Sequence, residues 1–137
     1  MIDLSGEFGQ RVNRRLSDEE IIWLTTTDSQ GVPQPRPVWF LWDGETILLF
    51  SQPQAYKVAH IQENSRVALN LNSTFTGGDV VVLIGQAEII DGPVPSEEME
   101  AYLEKYARGL ERINMTEKEL KDSHIAIRIR PLQFRDY

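Results

Sequence analysis

The sequence contains no cysteine. Disulfides, thiolate metal sites and a cysteine nucleophile are therefore excluded, and the absence fits a reducing compartment. Long apolar runs are missing too. The longest, Val80 to Gly85, is far short of the roughly 20 residues that span a bilayer. The opening stretch MIDLSGEFGQRVNRRL lacks the apolar centre of a signal peptide, so a cytoplasmic location with no membrane partner is expected. Histidine is scarce: only His60 and His124 occur, and without thiolates they give little basis for a metal site. A basic excess is lacking as well. The formal net charge of −7 repels nucleic-acid phosphates, and only Arg11, Arg14 and Arg15 cluster. No nucleic-acid partner is expected.

What is present describes one domain. A chain of 137 residues, 41% hydrophobic and 26% charged, suits a single packed core, and two halves would each bury too little surface. The expectation is one domain over residues 1–137, with an N-terminal helical segment over 1–19 and a helical insertion over 96–121 before the last strand.

Residues 6–16 read as a polar helix, and Ser17 to Glu20 matches a capping box. The run Ile21 to Thr27 is β-branched and aromatic, hence a strand. Between Val32 and Trp42, Pro33, Pro35 and Pro37 forbid helix and remove ladder donors, placing an extended strand at an edge or bulge. Asp43-Gly44 signals a two-residue hairpin into a returning strand, Thr46 to Ser51. Gln52 to Asn64 changes to helical period, with Val58 and Ile61 on one face and Tyr56, Ala59 and His60 on the other. Arg66 to Leu71 alternates as a strand, and Ser73 to Asp79 is a glycine-containing loop. Val80 to Asp91 is a long strand in which Gly85 marks a bulge or close approach. Ser96 caps a helix reaching Ala107, Thr116 with Glu119 forms another capping box, and Ile125 to Arg130 is a last strand stopped by Pro131. The fold expected is mainly β with helices: a six-stranded antiparallel split β-barrel, a closed or partly split barrel being the economical way to hide the sheet's edges.

Familiar catalytic signatures are absent. There is no G-x-S-x-G elbow, and Gly77-Gly78-Asp79 lacks the glycine or lysine of a nucleotide fingerprint. What remains is a candidate anion site. Arg36 sits in the proline-rich strand, Ser51 closes the next, and Lys57 opens the following helix. Pairing across Asp43-Gly44 is expected to set the strands of Arg36 and Ser51 side by side, and a helix start supplies free amides. The same residues also read as ordinary solvent-facing charges. Trp39 is expected opposite Phe40 and Trp42 by strand alternation, one face forming core and the other open to a planar ligand or a partner.

These residues carry a resemblance. Trp23-Leu24-Thr25-Thr26, then PRPVWFLWDGETILLFSQ over 35–52, YKVAHIQENSRVALNL over 56–71 and the closing IAIRIRPLQ over 125–133 are similar to the pyridoxamine 5′-phosphate oxidase-like split-barrel superfamily. They resemble especially its short bacterial flavin- or deazaflavin (F-420)-dependent reductases. The resemblance implies a homodimer holding FMN, or alternatively coenzyme F-420, in a groove between subunits. It implies that Arg36, Pro37, Val38 and Trp39 line the cofactor together with Phe50, Ser51 and Gln52. It further implies that Lys57, beside Tyr56, binds the phosphate. True pyridoxamine phosphate oxidases carry an arginine-rich C-terminal substrate segment, for which Arg128, Arg130 and Arg135 are no substitute. Pyridoxal-phosphate synthesis is therefore not expected.

The function expected is an oxidoreductase moving a hydride between the bound cofactor and a small conjugated substrate. The cofactor carries the chemistry and no side chain is needed as acid or base. Backbone amides around Val38 to Phe40 are candidates for tuning its ring. The acidic tail of F-420 sits poorly with a net charge of −7, which ranks FMN first. The alternative is a non-catalytic flavin- or haem-binding carrier on the same barrel, with His60 as a candidate haem ligand.

Overall fold

Proline spacing and the demands of Phe40 set the plan of the sheet. The computed structural model describes residues 3–135; Met1, Ile2, Asp136 and Tyr137, the ends of the expected domain, lie outside them. Helix α1 (Glu7–Asp18) leads into β1 (Ile22–Thr27), β2 (Pro33–Val38), β3 (Leu41–Trp42) and β4 (Ile47–Ser51). Then come α2 (Tyr56–Glu63), β5 (Arg66–Leu71), β6 (Val82–Ile90), three helices α3 (Ser96–Lys105), α4 (Ala107–Arg112) and α5 (Glu117–Ser123), and finally β7 (Ile125–Arg135). No helix among the described residues is long and apolar enough to cross a membrane.

The strands form one antiparallel sheet of seven in the order β2-β1-β5-β6-β7-β4-β3, not the six expected. The extra strand arises because the proline-rich run breaks at Trp39 and Phe40. The Phe40 amide donates to the Tyr106 hydroxyl at 2.8 Å, and its carbonyl accepts from Lys105 Nζ at 2.8 Å. With both backbone groups committed to a helix, Phe40 cannot take part in a strand ladder. β2 and β3 consequently lie at opposite edges of the sheet. Val38 and Leu41, which end β2 and begin β3, are three residues apart and so stand within about 11 Å. The sheet must curl until its edges approach, giving the half-barrel of a split-barrel fold. The prolines fit this plan, since β2 pairs only with β1 and an edge strand needs donors on one side only.

Several local expectations are corrected. The β3–β4 connection is a four-residue loop, Asp43 to Thr46, with Trp42 opposite Ile47. The Asp43 carboxylate draws it tight by accepting from the Glu45 and Thr46 amides at 2.8 and 2.6 Å. Arg36 and Ser51 are not on neighbouring strands: Arg36 pairs with Leu24 of β1, and Ser51 with Ile125 of β7. Ser17 caps nothing, because it lies in the last turn of α1 with its hydroxyl donating to the Asn13 carbonyl at 2.8 Å. Ser96 is the first residue of α3 rather than its cap. Thr116 does cap α5, accepting from the Glu119 amide at 3.1 Å. Pro131 does not stop β7, since it sits opposite Gly85 where the β6–β7 register shifts, and a bulge tolerates a missing donor.

Two apolar clusters result. The larger fills the curl of the sheet, with Val12 and Leu16 of α1, Ile22 and Leu24 of β1, Phe40, Trp42, Ile47, Leu49, and Val58 and Ile61 of α2. The smaller lies under α3–α5, where Met99, Tyr102, Tyr106, Leu110 and Leu120 receive Trp39, Leu41 and Phe50.

Candidate functional site

A groove of about 530 Å³ opens between β1, β2 and the start of α2, within the range of small-molecule sites. Alternation along β1 buries Ile22, Leu24 and Thr26 on one face. Leu24 and Thr26 reach the groove, facing Gln34, Arg36 and Pro37 of β2. The opposite wall is Ala55, Tyr56, Lys57 and His60. Ala55 is the N-cap residue of α2, and no side chain caps that helix start. The Ala55 carbonyl accepts from the Val58 amide at 3.1 Å, and the earlier amides of the first turn have no acceptor within the helix.

The charges here are one-sided. No carboxylate among the described residues lies within 4.0 Å of Lys57 or Arg36. Among the described residues, the Arg36 guanidinium donates only to the neighbouring Pro35 carbonyl, at 2.8 Å. Burial, and then the field of Arg36, hold the Lys57 amine below its ordinary 10.5. Two cations that disfavour each other and have no counter-ion describe a site for an anion.

A hydrogen-bonded polar pair fixes the adjoining wall. Thr26 is only 2% exposed, and its Oγ1 is hydrogen-bonded to His60 Nδ1 at 2.8 Å. That bond consumes one imidazole nitrogen and sets the ring's orientation. Tyr56, 83% exposed, holds its ring nearly parallel to that of His60, 6.5 Å away. The Asp28 carboxylate accepts from the Gln34 side chain at 3.3 Å and from the Gln30 and Val32 amides at 2.9 Å. The last three bonds, led by that of Val32, hold its carboxyl below 3.8, and they lock the turn that delivers β2 to the groove.

Of the residues singled out in the sequence, Arg36, Pro37, Tyr56 and Lys57 come together in this groove. The others lie elsewhere. Val38 packs against the larger core. Trp39 lies flat on Tyr106, centroids 4.6 Å apart, and Phe50 meets Tyr102 edge-on at 4.7 Å. Ser51 is buried with its hydroxyl donating to the Gln52 carbonyl at 3.0 Å, and Gln52 is exposed beyond it. The Phe40 amide, a candidate for tuning a bound ring, is already taken by Tyr106. Thr26 and Gln34 were missed, although a threonine in phase with Ile22 and Leu24 signals a polar group on the inner face.

A second groove, about 640 Å³, lies between Leu4, Trp42, Arg128 and Phe134. Both of its arginines have acidic partners: Arg128 donates to both Glu98 oxygens at 3.0 and 2.6 Å, and Arg130 stands 3.9 Å from Glu88. The groove at Lys57 instead combines two cations that make no ion pair among the described residues with a helix start.

Comparison with known proteins agrees with this architecture. The family model described as pyridoxamine 5′-phosphate oxidase matches residues 8–137. No curated protein matches. Among solved structures, an F-420 reductase is 24% identical, with 90% of this chain and 94% of that one covered at a TM-score of 0.69. A putative pyridoxamine 5′-phosphate oxidase from Listeria innocua is 20% identical, covering 93% and 95% at 0.73. HutZ, the haem storage protein from Vibrio cholerae, is 15% identical, covering 98% and 95% at 0.67. At these identities the likeness is one of fold.

Proposed function

This chain belongs to the pyridoxamine 5′-phosphate oxidase family, and on that premise we propose that it is a flavin-dependent oxidoreductase, working as a cytoplasmic homodimer that binds FMN at the Lys57 groove. The observation that carries the reading is the pair of unpaired cations, Lys57 and Arg36, in one groove. A phosphate monoester near neutral pH carries close to two negative charges, which these two side chains match. Coenzyme F-420 is the alternative, but its acidic tail needs further cations than the groove supplies.

The residues fit such a group. Lys57 and Arg36 hold the phosphate with charge-assisted hydrogen bonds, supported by the uncapped start of α2. Leu24 and Pro37 give the groove an apolar wall that excludes water. The Thr26–His60 bond keeps the inner wall rigid, and Tyr56 stands exposed at the mouth, where a second copy of the chain would complete the site. When bound, the flavin supplies two-electron redox chemistry toward a small conjugated substrate. Positioning and desolvation are then the protein's whole contribution.

A second reading, a haem-binding carrier, draws on His60. Its Nδ1 is engaged by Thr26, which leaves Nε2 as the ligand-competent nitrogen. Absorbance separates the two: a Soret band on haem addition that His60→Ala abolishes supports the carrier.

The decisive test is titration of the purified apo-protein with FMN, riboflavin and F-420. FMN binding is expected, with Lys57→Ala raising its Kd about tenfold or more through loss of a charged phosphate contact. Riboflavin binding should be insensitive to that change. If neither FMN nor F-420 binds, the oxidoreductase reading falls.

A further inference from the structure

The chain has four lysines, Lys57, Lys105, Lys118 and Lys121. Lys118 and Lys121 are exposed and paired along α5 with Asp122 at 2.5 Å and Glu117 at 2.8 Å. Lys105 is different. It ends α3 and turns its amine inward, donating to the Phe40 carbonyl at 2.8 Å and standing 3.9 Å from the centroid of the Phe40 ring. The Tyr106 ring lies 5.3 Å away on another side. No carboxylate comes within 4.0 Å of it among the described residues. Glu20, Asp18 and Glu19, at the end of α1 and the approach to β1, act on it only through space.

Lys105 borders an open groove of about 860 Å³, separate from the Lys57 groove, together with Trp39, Arg108 and Arg112. Arg108 and Arg112 are four residues apart on α4 and make no ion pair among the described residues. Glu20, Glu104 and Glu111 share the groove but stand beyond ion-pair range of all three cations. Desolvation by burial outweighs the pull of Glu20, Asp18 and Glu19 and lowers the amine from 10.5 to about 8. A lysine stripped of water and lacking a counter-ion is held partly as the free base, the nucleophilic form.

We propose that Lys105 is a carbonyl-capturing amine, forming a reversible imine with small aldehydes that carry an acid group, for which Arg108 and Arg112 supply the counter-charge. The Nζ lone pair attacks the aldehyde carbon, and the carbonyl π pair moves to oxygen. The resulting carbinolamine loses that oxygen as water together with the two amine protons. The carbon–nitrogen double bond forms as the carbon–oxygen bond breaks, with no change of oxidation state. This chemistry is independent of the flavin reading, since it uses neither Lys57 nor Arg36.

The test is reductive trapping of the full-length protein with glyoxylate and cyanoborohydride, following each lysine-containing peptide by mass. At pH 7.5, a free-base fraction near one quarter, against well under one per cent for an ordinary lysine, should label Lys105 about tenfold faster than Lys118 and Lys121 after allowance for its partial burial. The Lys105 rate should reach half its maximum near pH 8. Propanal, a neutral aldehyde, should show less preference for Lys105, and Arg108→Ala with Arg112→Ala should bring glyoxylate down to the propanal level. Lys105 labelling no faster than Lys118 and Lys121 overturns the proposal. Equal preference for the two aldehydes overturns its acid specificity.

Discussion

Tyr106 shows how one hydroxyl divides a strand. It accepts from the Phe40 amide at 2.8 Å and has two carbonyls in reach of its single proton, Glu20 at 2.7 Å and Phe40 at 2.9 Å. Its ring is buried, stacked on Trp39. Replacing Tyr106 by phenylalanine keeps the ring but leaves the Phe40 amide without an acceptor in a water-poor place. The expected loss is about 1–3 kcal/mol, read as a lower urea midpoint at unchanged slope. A loss below about 0.5 kcal/mol would mean that water replaces the hydroxyl. Lys57 is the functional counterpart at this scale: one cation whose removal should be felt by FMN and not by riboflavin.

Among the elements, the β6–β7 pair carries a tight constraint. At its bulge, a Cβ on Gly85 would stand 2.6 Å from Ile129 Cγ2 and 3.2 Å from the Arg130 carbonyl oxygen. Ile129 is itself fully buried, so it has little room to yield. Gly85→Ala should cost about 1–3 kcal/mol by overpacking, measurable as a fall in melting temperature. A neutral result would show that the bulge can slide. The helical insertion follows the same logic on the outer face. A Cβ on Gly109 would meet the Trp39 ring at 2.7 Å, so α4 can lie close to the indole only because it carries glycine there.

For the whole molecule, stability against pH gathers these groups together. Lys57 and Lys105 are both held below 10.5, Lys105 near 8. Between those values the unfolded chain binds more protons than the folded one, so stability rises with pH. Burial raises the hydroxyls of Tyr102 and Tyr106 above their ordinary 10.0. Above pH 10 the unfolded chain therefore loses protons that the folded one keeps, and stability falls. Urea unfolding across pH 7 to 11 should pass through a maximum near pH 10. Lys105→Met should flatten the rising limb, leaving the smaller share of Lys57. A rising limb unchanged by that substitution would mean that the amine is not desolvated.

Much of this protein is legible along the chain because it depends on neighbours in sequence. Period-two burial in β1, helical period around Val58 and Ile61, the Thr116 cap and the bulge at Gly85 all follow from residues within a few positions of one another. The edge position of the proline-rich strand follows too, since a missing amide is a property of the residue itself. Three things were decided only in three dimensions. The split of that strand into β2 and β3 requires Tyr106 and Lys105, 66 and 65 positions from Phe40. The separation of Ser51 and Phe50 from Arg36 and Lys57 follows from which strands pair, a choice made by burial over the whole sheet. The desolvation of Lys57 and Lys105 likewise comes from groups that the fold alone brings near. Local geometry is written in short spacings, whereas charge state and strand partners depend on what the rest of the chain places alongside.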